Sequence, residues 1–391
     1  MKPVALAVAA LVAALSIAFP ADAQEPIKIG IIATYSGQFA DTAQQMDNGV
    51  RLYMKQQGDT VAGRKIEIIR RDSGGPNPDV AKRLAQELVV RDKVDVLAGF
   101  PTSPEALAAA DVSAASQKFM VSMNGTASML TTKSPYIVRT SFTLPQVAQA
   151  LGVWAATKGG IKKAYTMVTD FGPGIDGEQY FQRGFKDSGG EIIGSVRTPL
   201  ANPDFAPFVQ RIKDANPESI FVFVPGGSQP AALGKAFAER EIDPNKIKIM
   251  SSGEAVDETA IKGLGELAIG RLSAQHYDYN HRSPKNEAFV KAYNAEFNRN
   301  PDFFSVGGFD GMHVVYEALK KTSGKADGDS LVQAAKGMQW ESPRGPMLID
   351  PETRDVVQTI YIRRVEKIDG KIVNVDIDEI ENVKDPVKAS K

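Results

Sequence analysis

Short β-rich runs alternate with helical periods along this chain, and the alternation is carried through twice. Ile27–Ala33 reads as a buried strand. Residues 43–57 place Met46, Val50, Tyr53 and Met54 at helical spacing, and Gly58 ends the period. Strand-like runs at 65–70, 94–98, 119–122 and 136–140 interleave with helical runs at 78–91, 103–116 and 145–158. A second series follows, with strands at 164–169, 191–196, 219–224 and 246–250 and helices at 175–188, 205–215 and 230–239. Two such series predict two parallel sheets with helices on both faces. From Pro284 onward helices dominate (285–297, 308–321, 330–336), and the end is β-rich (359–365, 371–377). A late helical block must cover an exposed sheet face. The economical path returns the chain to the first lobe and then lets the last strands cross again.

Composition narrows the chemistry. The chain of 391 residues has 0 cysteines, which removes disulfides, thiolate metal sites and cysteine nucleophiles together. Its 3 histidines leave little material for metal or general-base work. A formal net charge of -1 lacks the basic footprint of a nucleic-acid binder. The start has its own logic. Met1-Lys2, an apolar run to Pro20 and the small-x-small triplet Ala21-Asp22-Ala23 read as a secretory signal peptide over residues 1–23, cleaved after Ala23. Export of a cysteine-free chain fits a bacterial periplasm.

Several motifs carry bland readings. Gly172-Pro-Gly-Ile-Asp-Gly177 matches G-x-G-x-x-G, but it follows no first strand, and Asp170 and Asp176 put negative charge where a pyrophosphate would sit. It reads as a permissive loop. His276 and His281 suit no common zinc spacing and read as part of a polar segment between lobes. No cofactor and no metal are expected. The informative loops follow strands, where ligands bind in open α/β sheets. Ser103 fits a helix N-cap with Pro104 at the first helical position, an arrangement that favours an anion such as a carboxylate. Met123-Asn-Gly-Thr-Ala-Ser128 is a second hydroxyl- and amide-rich loop, so the two suggest a shared carboxylate cradle. Tyr35, Phe39, Phe100 and Phe171 are candidates to wall an apolar pocket.

Taken in order, the segments Ile27–Gly37, Gly63–Ile69, Val94–Gly99, Ser134–Thr140 and Val306–Gly311 give the chain a family likeness. It resembles the Leu/Ile/Val-binding type of periplasmic solute-binding protein that serves ABC transporters. The resemblance implies an α/β protein of two doubly wound parallel-sheet lobes joined by a three-segment hinge, with a ligand clamped between them. Lobe 1 would hold residues 24–141 plus 277–345, and lobe 2 residues 142–276 plus 346–391. Ser103 and Thr126 would hold a ligand carboxylate, and the Asn124 carbonyl an ammonium. Phe171 and Gly174 would lie in a loop closing from lobe 2. Ser228 stands where amino-acid binders often carry an aromatic residue. Glu254 would pair with the ammonium, and Phe304 would wall the pocket. Phe39, Thr42, Thr102 and Gly125 complete the expected site. The implied protein is a monomeric, non-enzymatic binder that delivers a small carboxylate-bearing solute to an inner-membrane ABC permease. A branched-chain or related amino acid is the expected solute. An aromatic or other non-amino carboxylate is the alternative, and a secreted α/β hydrolase a third reading.

Overall fold

A computed structural model describes residues 25–244 and 246–389, so the expected leader over residues 1–23 lies outside the described residues. The first series forms β1 (Ile27–Ala33), α1 (Ala40–Gln57), β2 (Thr60–Val61), β3 (Arg64–Asp72), α2 (Pro78–Val90), β4 (Val96–Gly99), α3 (Ser103–Ser116), β5 (Phe119–Ser122), α4 (Leu130–Lys133) and β6 (Ile137–Arg139). The strands make a six-stranded sheet in the order β2-β3-β1-β4-β5-β6, parallel except for the β2–β3 ribbon. Strands buried on both faces are apolar almost throughout, as in Ile27–Ala33. Ile27, Ile29 and Ile31 face the core under α1, while Ile32 faces the core under α2 and α3. That alternation is what lets helices cover both sides.

The second series forms α5 (Leu144–Ala156), β7 (Lys163–Thr169), α6 (Gly172–Asp187), β8 (Glu191–Thr198), α7 (Ala206–Ala215), β9 (Ser219–Phe223), α8 (Gln229–Glu239), β10 (Lys248–Ser252), α9 (Glu258–Leu264) and β11 (Leu272–Gln275). The chain then returns to the first sheet as α10 (Pro284–Phe297), α11 (Phe303–Lys321) and α12 (Gly328–Ala335), with α10 and α11 packed on α1. It crosses again into β12 (Gln339–Ser342), β13 (Gly345–Ile349), β14 (Val356–Ile368) and β15 (Lys371–Val383). The second sheet runs β12-β13-β14-β11-β10-β9-β7-β8, with β15 on β14. Its β8 to β11 part is parallel, but β14 pairs antiparallel with β11, so the expected parallel sheet is mixed. The β12–β13 ribbon also leans on the first lobe, where Trp340 packs on His313 and donates to Asp310 at 3.0 Å.

Four further local expectations need correction. The Gly172–Gly177 segment is no loop but the opening of α6; a Cβ at Gly174 would lie 1.8 Å from the Thr169 carbonyl oxygen, so its glycines serve close packing. Thr102, not Ser103, is the N-cap of α3, and Thr102 and Glu105 close a reciprocal capping box. The second helix of the late block begins at Phe303 rather than 308, because Asp302 caps it and Gly307-Gly308 lie inside it. β15 runs to Val383 rather than stopping at 377.

Those internal glycines set the α1–α11 crossing. A Cβ at Gly49 would lie 1.9 Å from the Ser305 carbonyl oxygen, and one at Gly308 2.1 Å from that of Met46. Backbone atoms cannot swing aside as side chains do. Gly308→Ala should therefore lower stability by roughly 1–3 kcal/mol, the usual cost of overpacking. Thermal denaturation checks this, and an unchanged midpoint would mean the helices part freely. The crossing bears on function because Phe39 and Thr42 stand at the start of α1 and Phe304 at the start of α11.

Candidate functional site

The two first-lobe loops are tied to each other. Asn124 Nδ2 donates to the Pro101 carbonyl at 2.7 Å, and the Ala127 N–H donates to Ser103 Oγ at 3.0 Å. Accepting that bond leaves the Ser103 hydroxyl proton free to donate elsewhere. The Asn124 carbonyl accepts from the Ser141 hydroxyl, while Asn124 Oδ1 is buried with no partner among the described residues. Behind the loop lies Arg139, fully buried, donating to the carbonyls of Gly125, Ala127 and Phe142 and to Asp355 at 2.9 Å. Beneath it, buried Glu105 accepts from Ser73, Thr34 and Thr102, and burial pushes its carboxyl up.

Second-lobe groups face these loops. Phe171 caps α6 and stacks on Phe223 with ring centroids 5.9 Å apart and planes at 18°. Pro225 and Gly226 follow β9, and a Cβ on Gly226 would lie 3.2 Å from the Phe304 ring of the opposite lobe. One on Gly227 would lie 2.4 Å from the Gln38 carbonyl, so the lobes touch. Glu254 sits in the tight turn after β10 and is buried. Its carboxyl is pushed up to about 8, first by burial and then by the charge of Asp257. Ser252 Oγ donates to it at a long 3.4 Å.

Several of these groups line a cavity between the lobes that is partly open to solvent. Of the expected site, Phe39, Thr42, Thr102, Ser103, Asn124, Thr126, Phe171, Glu254 and Phe304 line it. Two of their hydroxyls are committed: Thr42 donates to the Phe39 carbonyl at 2.7 Å and Thr102 to Glu105 at 2.5 Å. Three expected residues do not line it. Gly125 lies under its loop, where a Cβ would meet Ser122 Oγ at 2.8 Å. Gly174 packs on β7, and Ser228 caps α8. Phe100 is core rather than wall, fully buried among α2 and α3 residues. The Tyr35 hydroxyl instead donates to Asp47, and its backbone N–H donates to Asp72. The sequence reading missed Leu200, Phe223, Pro225 and Gly226, all of which follow or end second-lobe strands. The strand-end rule that found Ser103 would have found them.

Chemically the cavity combines flat apolar walls with few polar groups. Among its lining residues Glu254 is the single ionisable one. No group of histidine and acidic residues that could hold a metal ion exists among the described residues. His276 lies buried between Phe142 and Phe303, bonded to Gln275, and burial holds its imidazole well below the usual range.

Comparison with known proteins adds a second line. A family model described as periplasmic binding protein matches residues 26–371. Leu/Ile/Val-binding protein homolog 6 of Brucella melitensis is 40% identical over 390 residues, covering 99% of both chains. A solute binding protein of an ABC transporter from Rhodopseudomonas palustris BisB5, solved in complex with 3,4-dihydroxy benzoic acid, is 51% identical with a TM-score of 0.90, covering 93% of this chain and 99% of that one. Another from strain HaA2, in complex with p-hydroxybenzoic acid, is 39% identical with a TM-score of 0.90, covering 94% and 100%.

Proposed function

The chain belongs to the periplasmic binding protein family, and on that premise we propose that it captures a small aromatic carboxylate between its lobes and delivers it to an ABC permease. The observation that carries the ligand class is that aromatic side chains of both lobes line the cavity. Phe39 and Phe304 come from the first lobe, and Phe171 and Phe223 from the second. Aromatic walls favour a planar ring in the cavity, each aromatic contact adding about 0.5–1.5 kcal/mol beyond its buried area. Ser103 and Thr126 hold the carboxylate. Hydrogen bonds to a charged group are worth about 1.5–3 kcal/mol. Ser103→Ala and Thr126→Ala should therefore each weaken binding by roughly 1–3 kcal/mol. Contacts from both lobes make the closed form the bound form, so closure is a population shift. The working lobes follow the expected division except that the third crossing precedes β12, which joins the second sheet, and the chain acts as a monomer in the periplasm after loss of residues 1–23.

One observation favours a second reading. Glu254, an acid in the cavity, would suit the ammonium of an amino acid, which the relative named for Leu, Ile and Val brings to mind. A thermal-shift panel separates the two. A true ligand at about 100 times its dissociation constant adds about 2.7 kcal/mol. Hydroxybenzoates should raise the midpoint, and L-leucine should not. Stabilisation by leucine alone would reverse the assignment.

A further inference from the structure

The chain's last described residues do not end on the second sheet. After β15 they turn back at Asp385, whose carbonyl accepts from the N–H groups of Lys388 and Ala389 at 3.1 and 3.0 Å. Asp385 then accepts from the Ser128 hydroxyl, and Lys388 Nζ reaches Thr131 Oγ1 at 2.7 Å and Asp355 at 2.5 Å. Asp355 pairs in turn with Arg139, the residue that grips the Gly125 and Ala127 carbonyls. The carboxylates are sealed, with side-chain exposures of 1% for Asp385 and 2% for Asp355. Ser128 closes the circuit from the other side, because its N–H donates to Asp176 of α6 at 3.2 Å.

The loop carrying Asn124 and Thr126 is thus held at its back by the tail and by the second lobe. Its own lobe fixes the loop from Met123 to Ala127, through the amide bonds from Met123 to Gly99 and from Gly125 to Phe100, the Asn124–Pro101 and Ala127–Ser103 bonds and the grip of Arg139, while its far end at Ser128 depends on Asp385 and Asp176. Charges this deeply buried are costly unless paired, so the ring of Arg139, Asp355, Lys388 and Asp385 stands or fails together.

We propose that residues 385–389 are a strap that holds the cavity loop 123–128 in its ligand-binding shape, with Asp385 and Lys388 as positioning residues. The strap deepens the proposed function, and one of its two tests rests on that reading. Three variants are compared with the parent chain: one ending at Lys384, Lys388→Met and Lys388→Arg. The first readout is amide hydrogen exchange of unliganded protein. Loop 123–131 should exchange at least about tenfold faster in the truncated and Met variants, with β1 and β4 unchanged and the Arg variant near the parent. The second is affinity for 4-hydroxybenzoate, which should fall at least about tenfold in the first two variants and return in the third. Unchanged loop exchange overturns the strap. So does equal acceleration in β1 and β4, which would show general destabilisation. If no chain binds 4-hydroxybenzoate, the aromatic reading fails, and the exchange result still decides the strap.

Discussion

Arg139→Met should cost about 3–5 kcal/mol of stability, the usual loss when one partner of a buried ion pair is removed. The arginine is fully buried, pairs with Asp355 and serves the carbonyls of Gly125, Ala127 and Phe142. Methionine fills much of its volume but strips those carbonyls of the guanidinium and leaves Asp355 with Lys388 as its remaining charged partner. Ligand affinity should fall more than tenfold in whatever protein still folds, because two of the carbonyls belong to the cavity loop. Arg139→Lys keeps the charge but not the planar fork of donors, so it should recover only part of the loss. Urea denaturation of the three proteins decides the matter. A loss below about 1 kcal/mol for the Met variant would show that the loop holds itself.

The second large effect concerns pH. Glu254 has a folded-state pKa of about 8 against an ordinary 4.5, raised by burial and then by Asp257, itself pushed up to about 8 by burial and then by Asp302. An acid with a raised folded pKa keeps its proton in the fold after the unfolded chain has released it. Its folded state is therefore favoured at low pH, and that advantage is lost as pH climbs from about 4.5 to about 8. Glu254→Gln removes the ionising group and keeps the shape. Each pKa unit corresponds to about 1.4 kcal/mol, so at pH 8.5 the variant should be more stable than the parent by on the order of 5 kcal/mol. Near pH 5 the two should match. Hydroxybenzoate binding should persist in the variant at pH 8.5, where the parent, with Glu254 ionised, weakens toward an anionic ligand. Superimposable stability profiles from pH 5 to 8.5 would contradict the account of Glu254.

How much of this was legible depended on whether a residue's role is local. β1 announces itself in Ile27–Ala33, because a strand covered on both faces must be apolar at nearly every position. β11 did not, because Leu272-Ser-Ala-Gln275 is half polar. Ser273 is buried there as an acceptor for Arg363, which arrives from β14 across the sheet. Gly172–Gly177 looked like a loop for the same reason: the need for glycine at 174 comes from the Thr169 carbonyl, a tertiary contact. In the site, Ser103, Asn124 and Thr126 could be found from strand ends and helix starts. Phe100 misled because a strand-end aromatic can turn inward as readily as outward; its φ of 65° sends it into the core. Arg139 stood in plain sight in the Ser134–Thr140 segment, yet only the folded loop shows which carbonyls it serves.

Calorimetric titration of the protein with 4-hydroxybenzoate and, separately, with L-leucine tests the central claim most directly. Rings from both lobes around a planar acid predict saturable one-to-one binding of 4-hydroxybenzoate, weakened by Phe171→Ala and by Ser103→Ala, with no heat of binding from leucine. Saturable binding of leucine, with none of 4-hydroxybenzoate, would contradict it.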